Sequence, residues 1–153
     1  MSLVHDNEII SYEVNLKKNR IVLYTEYENS NIIENTKIYF YDVLAHFFET
    51  QLPGSIIFDI DNYDIHHFIE DNKEILEEQK NYGWPMDYST INELEEKLMR
   101  EQYEYFAISS SYGLNGWVLA KKYEIKVIEM LKKNDSLCDK YEEELIINPK
   151  KRI

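Results

Sequence analysis

The sequence predicts one α+β domain over residues 1–153: a largely antiparallel sheet of about six strands, with two amphipathic helices packed on one face. Three observations predict it. Several separate tracts alternate apolar and polar residues with a period of two, the spacing turns helical between residues 64 and 101, and 153 residues suit a single core.

The elements follow in order. Glu8 to Leu16 (EIISYEVNL) alternates, with Ile10, Tyr12, Val14 and Leu16 on one face. After Lys17-Lys18-Asn19 the pattern resumes at Ile21, Leu23, Thr25 and Tyr27, so the pair reads as a β-hairpin. Lys37 to Tyr41 (KIYFY) is rich in aromatic and β-branched residues and reads as a third strand. Residues 43–49 (VLAHFFE) read equally as its extension or as a helical turn. Past Pro53-Gly54, Ser55 to Ile60 has the short apolar character of a buried strand. From Asp64, the residues Ile65, Phe68, Ile69, Asn72, Leu76 and Gln79 share a helical face, which predicts an acidic amphipathic helix over 64–82. Gly83 is placed to end it in a left-handed cap, and Pro85 prevents its continuation.

A second helix is expected over 90–101. Ser89 or Thr90 caps it, Glu93 completes a capping box, and Ile91, Leu94 and Leu98 form its buried stripe. Tyr103 to Ser110 and Trp117 to Tyr123 alternate again as a second hairpin, with Asn115-Gly116 as its tight turn. Beyond Glu124 the pattern is ambiguous: residues 127–133 (VIEMLKK) read as helical, and residues 141–147 (YEEELII) as a last helical turn or a strand.

Charge is the dominant global property. Twenty-nine acids against 17 bases give a net charge of −12, which opposes nucleic acid phosphates and anionic membranes, so neither is an expected partner. The excess is uneven. Residues 1–104 carry 22 acids and 8 bases, whereas residues 121–153 carry 7 acids and 9 bases. This field either solvates the surface or attracts a basic protein. The lone Cys138 cannot form an internal disulfide, and no apolar run reaches transmembrane length, so the cytoplasm is the expected compartment.

No catalytic or cofactor motif emerges. Asp59, Asp61 and Glu70 match positions 1, 3 and 12 of a calcium loop, but Asp64 stands where the turn needs glycine. Adjacent His66 and His67 diverge on a helix, and His5, Asp6 and His46 belong to other segments. Glu124 and Lys126 have the spacing of a nuclease strand against an opposing charge balance. Ser109 to Ser111 have no neighbouring base in sequence. No catalytic, cofactor or metal residues are therefore assigned, and the chain is not expected to be an enzyme.

Thirteen Tyr and two Trp remain. Tyr82, Trp84, Tyr88, Tyr112 and Trp117 stand at expected chain reversals, where rings serve as binding anchors. With the helix carboxylates they form the predicted partner-binding set: Trp84, Tyr88, Tyr112 and Trp117, with Glu70, Asp71, Glu74 and Glu78. The opening segment VHDNEIISYEVNLKKNRIVLYTEY, through His5, Asp6, Ile9 or Ile10, and Ser11, resembles bacterial immunity proteins of polymorphic toxin systems. The resemblance covers about 25 residues and extends at most to Phe40 and Val43. It implies a small cytoplasmic protein that blocks a cognate toxin by binding, with a basic toxin domain as the expected partner. Two other expectations compete: a small enzyme with its site between the sheet and the 82–88 and 112–117 loops, and a homo-oligomer that buries its rings against a symmetry mate.

Overall fold

The computed structural model describes residues 3–133. Cys138 and the expected helix or strand around residues 141–147 lie outside the described residues. The strands are β1 (Glu8–Asn15), β2 (Arg20–Glu28), β3 (Ile32–Tyr41), β4 (Ala45–Glu49), β5 (Ile56–Tyr63), β6 (Glu104–Tyr112), β7 (Asn115–Ala120) and β8 (Lys122–Lys132). The helices are α1 (Ile65–Asp71), α2 (Lys73–Gln79) and α3 (Ile91–Arg100), with a 3-10 turn at Lys80–Tyr82.

All strand pairs are antiparallel, in the order β4-β7-β6-β5-β1-β2-β3-β8. The α+β class therefore stands, but the described residues form eight strands where about six were expected. One addition comes from the ambiguous tract 43–49, where 45–49 forms β4; the other corrects two expectations, since the strand expected over 117–123 ends at Ala120 and residues 127–132, expected as helical, belong to β8, paired with β3.

Two short connections dictate the shape of the sheet. Residues 42–44 carry the chain from β3 to β4, and Lys121 alone carries it from β7 to β8. Each connection joins strands six places apart in the order, about 29 Å on a flat sheet at about 4.8 Å per strand, yet three residues reach only about 14 Å. The sheet must roll up. Lys121 N donates to Tyr41 O (3.1 Å) and Leu44 N to Leu119 O (2.9 Å), so β3–β4 and β8–β7 form one ribbon bent across the corner. At the opposite corner β1 and β5 meet through Asp6 N to Ile57 O (2.8 Å), Ile57 N to Asn7 O (2.9 Å) and Ile9 N to Ser55 O (2.8 Å).

The result is two four-stranded halves facing each other. Their inward residues, including Ile21, Leu23, Ile38, Phe40, Ile57, Phe106, Ile108 and Val118, form one core, in which the Phe40 and Phe106 rings meet at 5.7 Å. The outward residues Ala45, Tyr105, Trp117 and Leu119 of the β5-β6-β7-β4 half join Phe68, Leu76, Leu94 and Leu98 in a second core beneath the helices. Phe106 and Val118 point in while Tyr105, Trp117 and Leu119 point out, the pattern of a strand buried on both faces.

The expected helix over 64–82 is interrupted. Asn72 (φ −119°, ψ 23°) ends α1, and its Nδ2 donates to Phe68 O at 2.9 Å, offering that carbonyl a side-chain partner at the break. Asp64 caps α1 by accepting from His67 N (2.9 Å), and Gly83 (φ 71°) closes the 3-10 turn. The capping box of α3 is present. Thr90 Oγ1 accepts from Glu93 N (3.2 Å), and the Glu93 carboxylate accepts from Ser89 N (3.1 Å). Leu94 and Leu98 are fully buried, but Ile91, expected in the same stripe, is exposed. Asn115-Gly116 is not the turn. Gly113 takes the positive φ (84°), while Gly116 lies in β7, where a Cβ would collide with the Phe47 carbonyl oxygen of β4.

Candidate functional site

The predicted binding set separates into three rings packed under or beside the helices, the exposed ring of Tyr112, and exposed acids. Trp117 is only 6% exposed and packs edge-on against Phe68 at 5.2 Å. Its expected place at an exposed chain reversal is corrected: it sits inside β7 beneath the helices, where apolar area is worth most. Trp84 is partly buried against Trp117 at 6.0 Å. Tyr88 is also partly buried, its hydroxyl donating to Leu76 O at 3.1 Å. Tyr112 is exposed at the end of β6, remote from these rings. The Trp84 and Trp117 rings therefore meet beside the 82–88 loop, one of the two loops that the competing enzyme expectation named.

The acids gather differently. Glu70 and Asp71 end α1 and Glu74 begins α2, so the break at Asn72 turns all three toward β4, the terminal strand of the sheet. An open groove of about 560 Å³ lies there, lined by Phe47, Glu49, Glu70, Asp71, Asn72, Lys73, Glu74 and Ile75. Phe47 is 41% exposed and supplies its apolar surface. Four carboxylates face one lysine. Lys73 Nζ lies 3.0 Å from a Glu70 oxygen, and this hydrogen bond holds the Glu70 carboxyl below the usual carboxylate range. Asp71 accepts from the Tyr105 hydroxyl at 3.2 Å; burial, chiefly, pushes that phenol up to about 12. Glu78 is exposed on α2 but does not line the groove.

The other polar candidates are held in local contacts. His66 meets Glu95 at 3.2 Å and His67 meets Asp64 at 2.8 Å. The Ser110 hydroxyl donates to Leu114 O, and Glu124 pairs with Lys126 at 3.5 Å on the surface of β8. Among the described residues no three His, Cys, Asp or Glu side chains come together to hold a metal ion, and no helix is long and apolar enough to cross a membrane.

Sequence reasoning missed Phe47 and Glu49, because the strand carrying them was ambiguous and the groove is completed by a break in the helix. Compared with known protein families, with curated proteins and with solved structures, the chain matches none.

Proposed function

We propose that this chain is a non-enzymatic binding protein that receives a basic protein segment in the groove beside β4. The supporting observation is the gathering of Glu49, Glu70, Asp71 and Glu74 around exposed Phe47 at the terminal strand of a sheet. A terminal strand offers backbone donors and acceptors to an added strand, and the flanking carboxylates select lysine and arginine. The acidic balance of the whole chain would speed encounter with such a partner. The likeness of the first 25 residues to toxin immunity proteins supplies the partner class, a basic toxin domain met in the cytoplasm.

Fluorescence anisotropy with a labelled twelve-residue peptide of alternating Val and Lys tests this, with the Val-Glu peptide as control. The Lys peptide should bind, more weakly as salt rises, and Glu70→Lys with Glu74→Lys should weaken it by about tenfold or more. The same charge change at Glu26 and Glu28, on the other half of the sheet, should cost far less. Equal binding of both peptides, or equal loss from both pairs of substitutions, would overturn the proposal.

A further inference from the structure

The strand register collects cations that are far apart in sequence. Arg20 stands opposite Tyr41, and Tyr41 opposite Lys122; further along, Tyr24 stands opposite Lys37, and Lys37 opposite Lys126. Since Ile21, Leu23, Ile38, Phe40, Tyr123 and Ile125 turn toward the inner core, these side chains project from the outer face of β2-β3-β8. The helices cover the other half.

These cations rest mainly on rings. The Arg20 guanidinium lies 5.3 Å from the centre of the Tyr41 ring, and Lys122 lies 5.5 Å from the same ring. Lys126 lies 5.2 Å from Tyr39 and Lys37 5.2 Å from Tyr24. Tyr39 and Tyr41 stack with an interplanar angle of 6°. Glu124 is shared, 3.9 Å from Lys122 and 3.5 Å from Lys126. Glu13 stands two strands from β3, beyond Val22. Arg20 Nε is buried without a hydrogen-bond acceptor. The next row along carries Glu26 and Glu129 on either side of Asn35, so the surplus of cations belongs to the three rows from Arg20 to Lys126, where Arg20, Lys37, Lys122 and Lys126 stand with Glu124.

We propose that this cationic face docks a second copy of the same chain, entering that copy's acidic groove. The inference rests on the groove reading above, and charge complementarity carries it: Arg20, Lys37, Lys122 and Lys126 on one surface, Glu49, Glu70, Asp71 and Glu74 on the other. The two surfaces belong to the outer faces of opposing half-sheets, so one molecule cannot join them within itself. The contact is heterologous, and copies associate head to tail. A foreign basic partner would compete for the same groove.

Sedimentation velocity on the full chain tests it with neutral variants, Lys122→Gln with Lys126→Gln on the face and Glu70→Gln with Glu74→Gln in the groove. The unmodified protein should associate at low salt and dissociate at high salt. Each variant alone should be monomeric, and an equimolar mixture should form a dimer of twice the chain mass and nothing larger. A monomeric unmodified protein, or a variant that assembles as it does, would overturn the inference. If the Lys peptide still binds while self-association is absent, only this inference fails; if the peptide fails as well, the groove reading falls with it. Circular dichroism confirms that each variant keeps its fold.

Discussion

The two halves of the rolled sheet share an inner core and differ on their outer faces. In β5-β6-β7-β4 the outward positions are Ala45, Tyr105, Trp117 and Leu119, and three helices cover them. In β1-β2-β3-β8 they include Arg20, Tyr24, Lys37, Tyr39, Tyr41 and Lys126, and among the described residues the helices pack on the other half. Inward alternation is common to both halves, so the inner core alone does not fix the architecture. The outward residue of each strand decides whether the sheet is buried on both faces or left open for contact.

Removing the ring at the centre of the covered half should break the contrast most visibly. Trp117→Ala should cost about 3–5 kcal/mol in denaturant unfolding, because Phe68, Trp84 and Tyr105 all pack on that ring. Tyr39→Ala on the open half should cost less, under about 2 kcal/mol, because its half-buried ring meets Lys126 and the Tyr41 ring. Similar costs for the two would mean that the open face is structural.

Gly116→Ala is next, at about 1–3 kcal/mol by thermal unfolding, since the added methyl meets the Phe47 backbone and must push β4 from β7. Because β4 borders the groove, this substitution should also weaken Lys peptide binding. Thr90→Ala should cost about 1 kcal/mol through loss of the α3 cap, and should leave peptide binding unchanged.

The smallest signal is spectroscopic. Burial raises the Tyr105 phenol from 10.0 to about 12, so the folded state holds its proton where the unfolded chain releases it. The stabilisation is intact below about pH 10 and is lost as pH rises toward 12. In an alkaline ultraviolet titration, Tyr105→Phe should remove the component that ionises near 12.

What the sequence made legible follows the range of the interactions involved. The β1–β2 hairpin and the α3 capping box are local, so alternation and Thr90-x-x-Glu93 announce them. β4 and β8 are not: their pairing is fixed at the corner, where Lys121 meets Tyr41 and Leu44 meets Leu119 across more than seventy positions of sequence. The helix over 64–82 was legible in type but not in continuity, because Asn72 also suits its face and only the packed chain shows its side chain on the Phe68 carbonyl. Of the site, the acids Glu70, Asp71 and Glu74 were legible as an outer helical face, whereas Phe47 and Glu49 required the sheet order. The rings misled, since Trp117 lies on a strand whose two faces are both buried. The cationic face was invisible, because register alone brings Arg20, Lys37 and Lys122 together.

Docking in the groove is tested most directly by backbone amide chemical shifts recorded while the Lys peptide is added. Shifts concentrated at 45–49 and 70–75, saturating together, are the predicted result. Shifts confined to 20–24, 37–41 and 122–126, or spread evenly over the acidic surface, would contradict it.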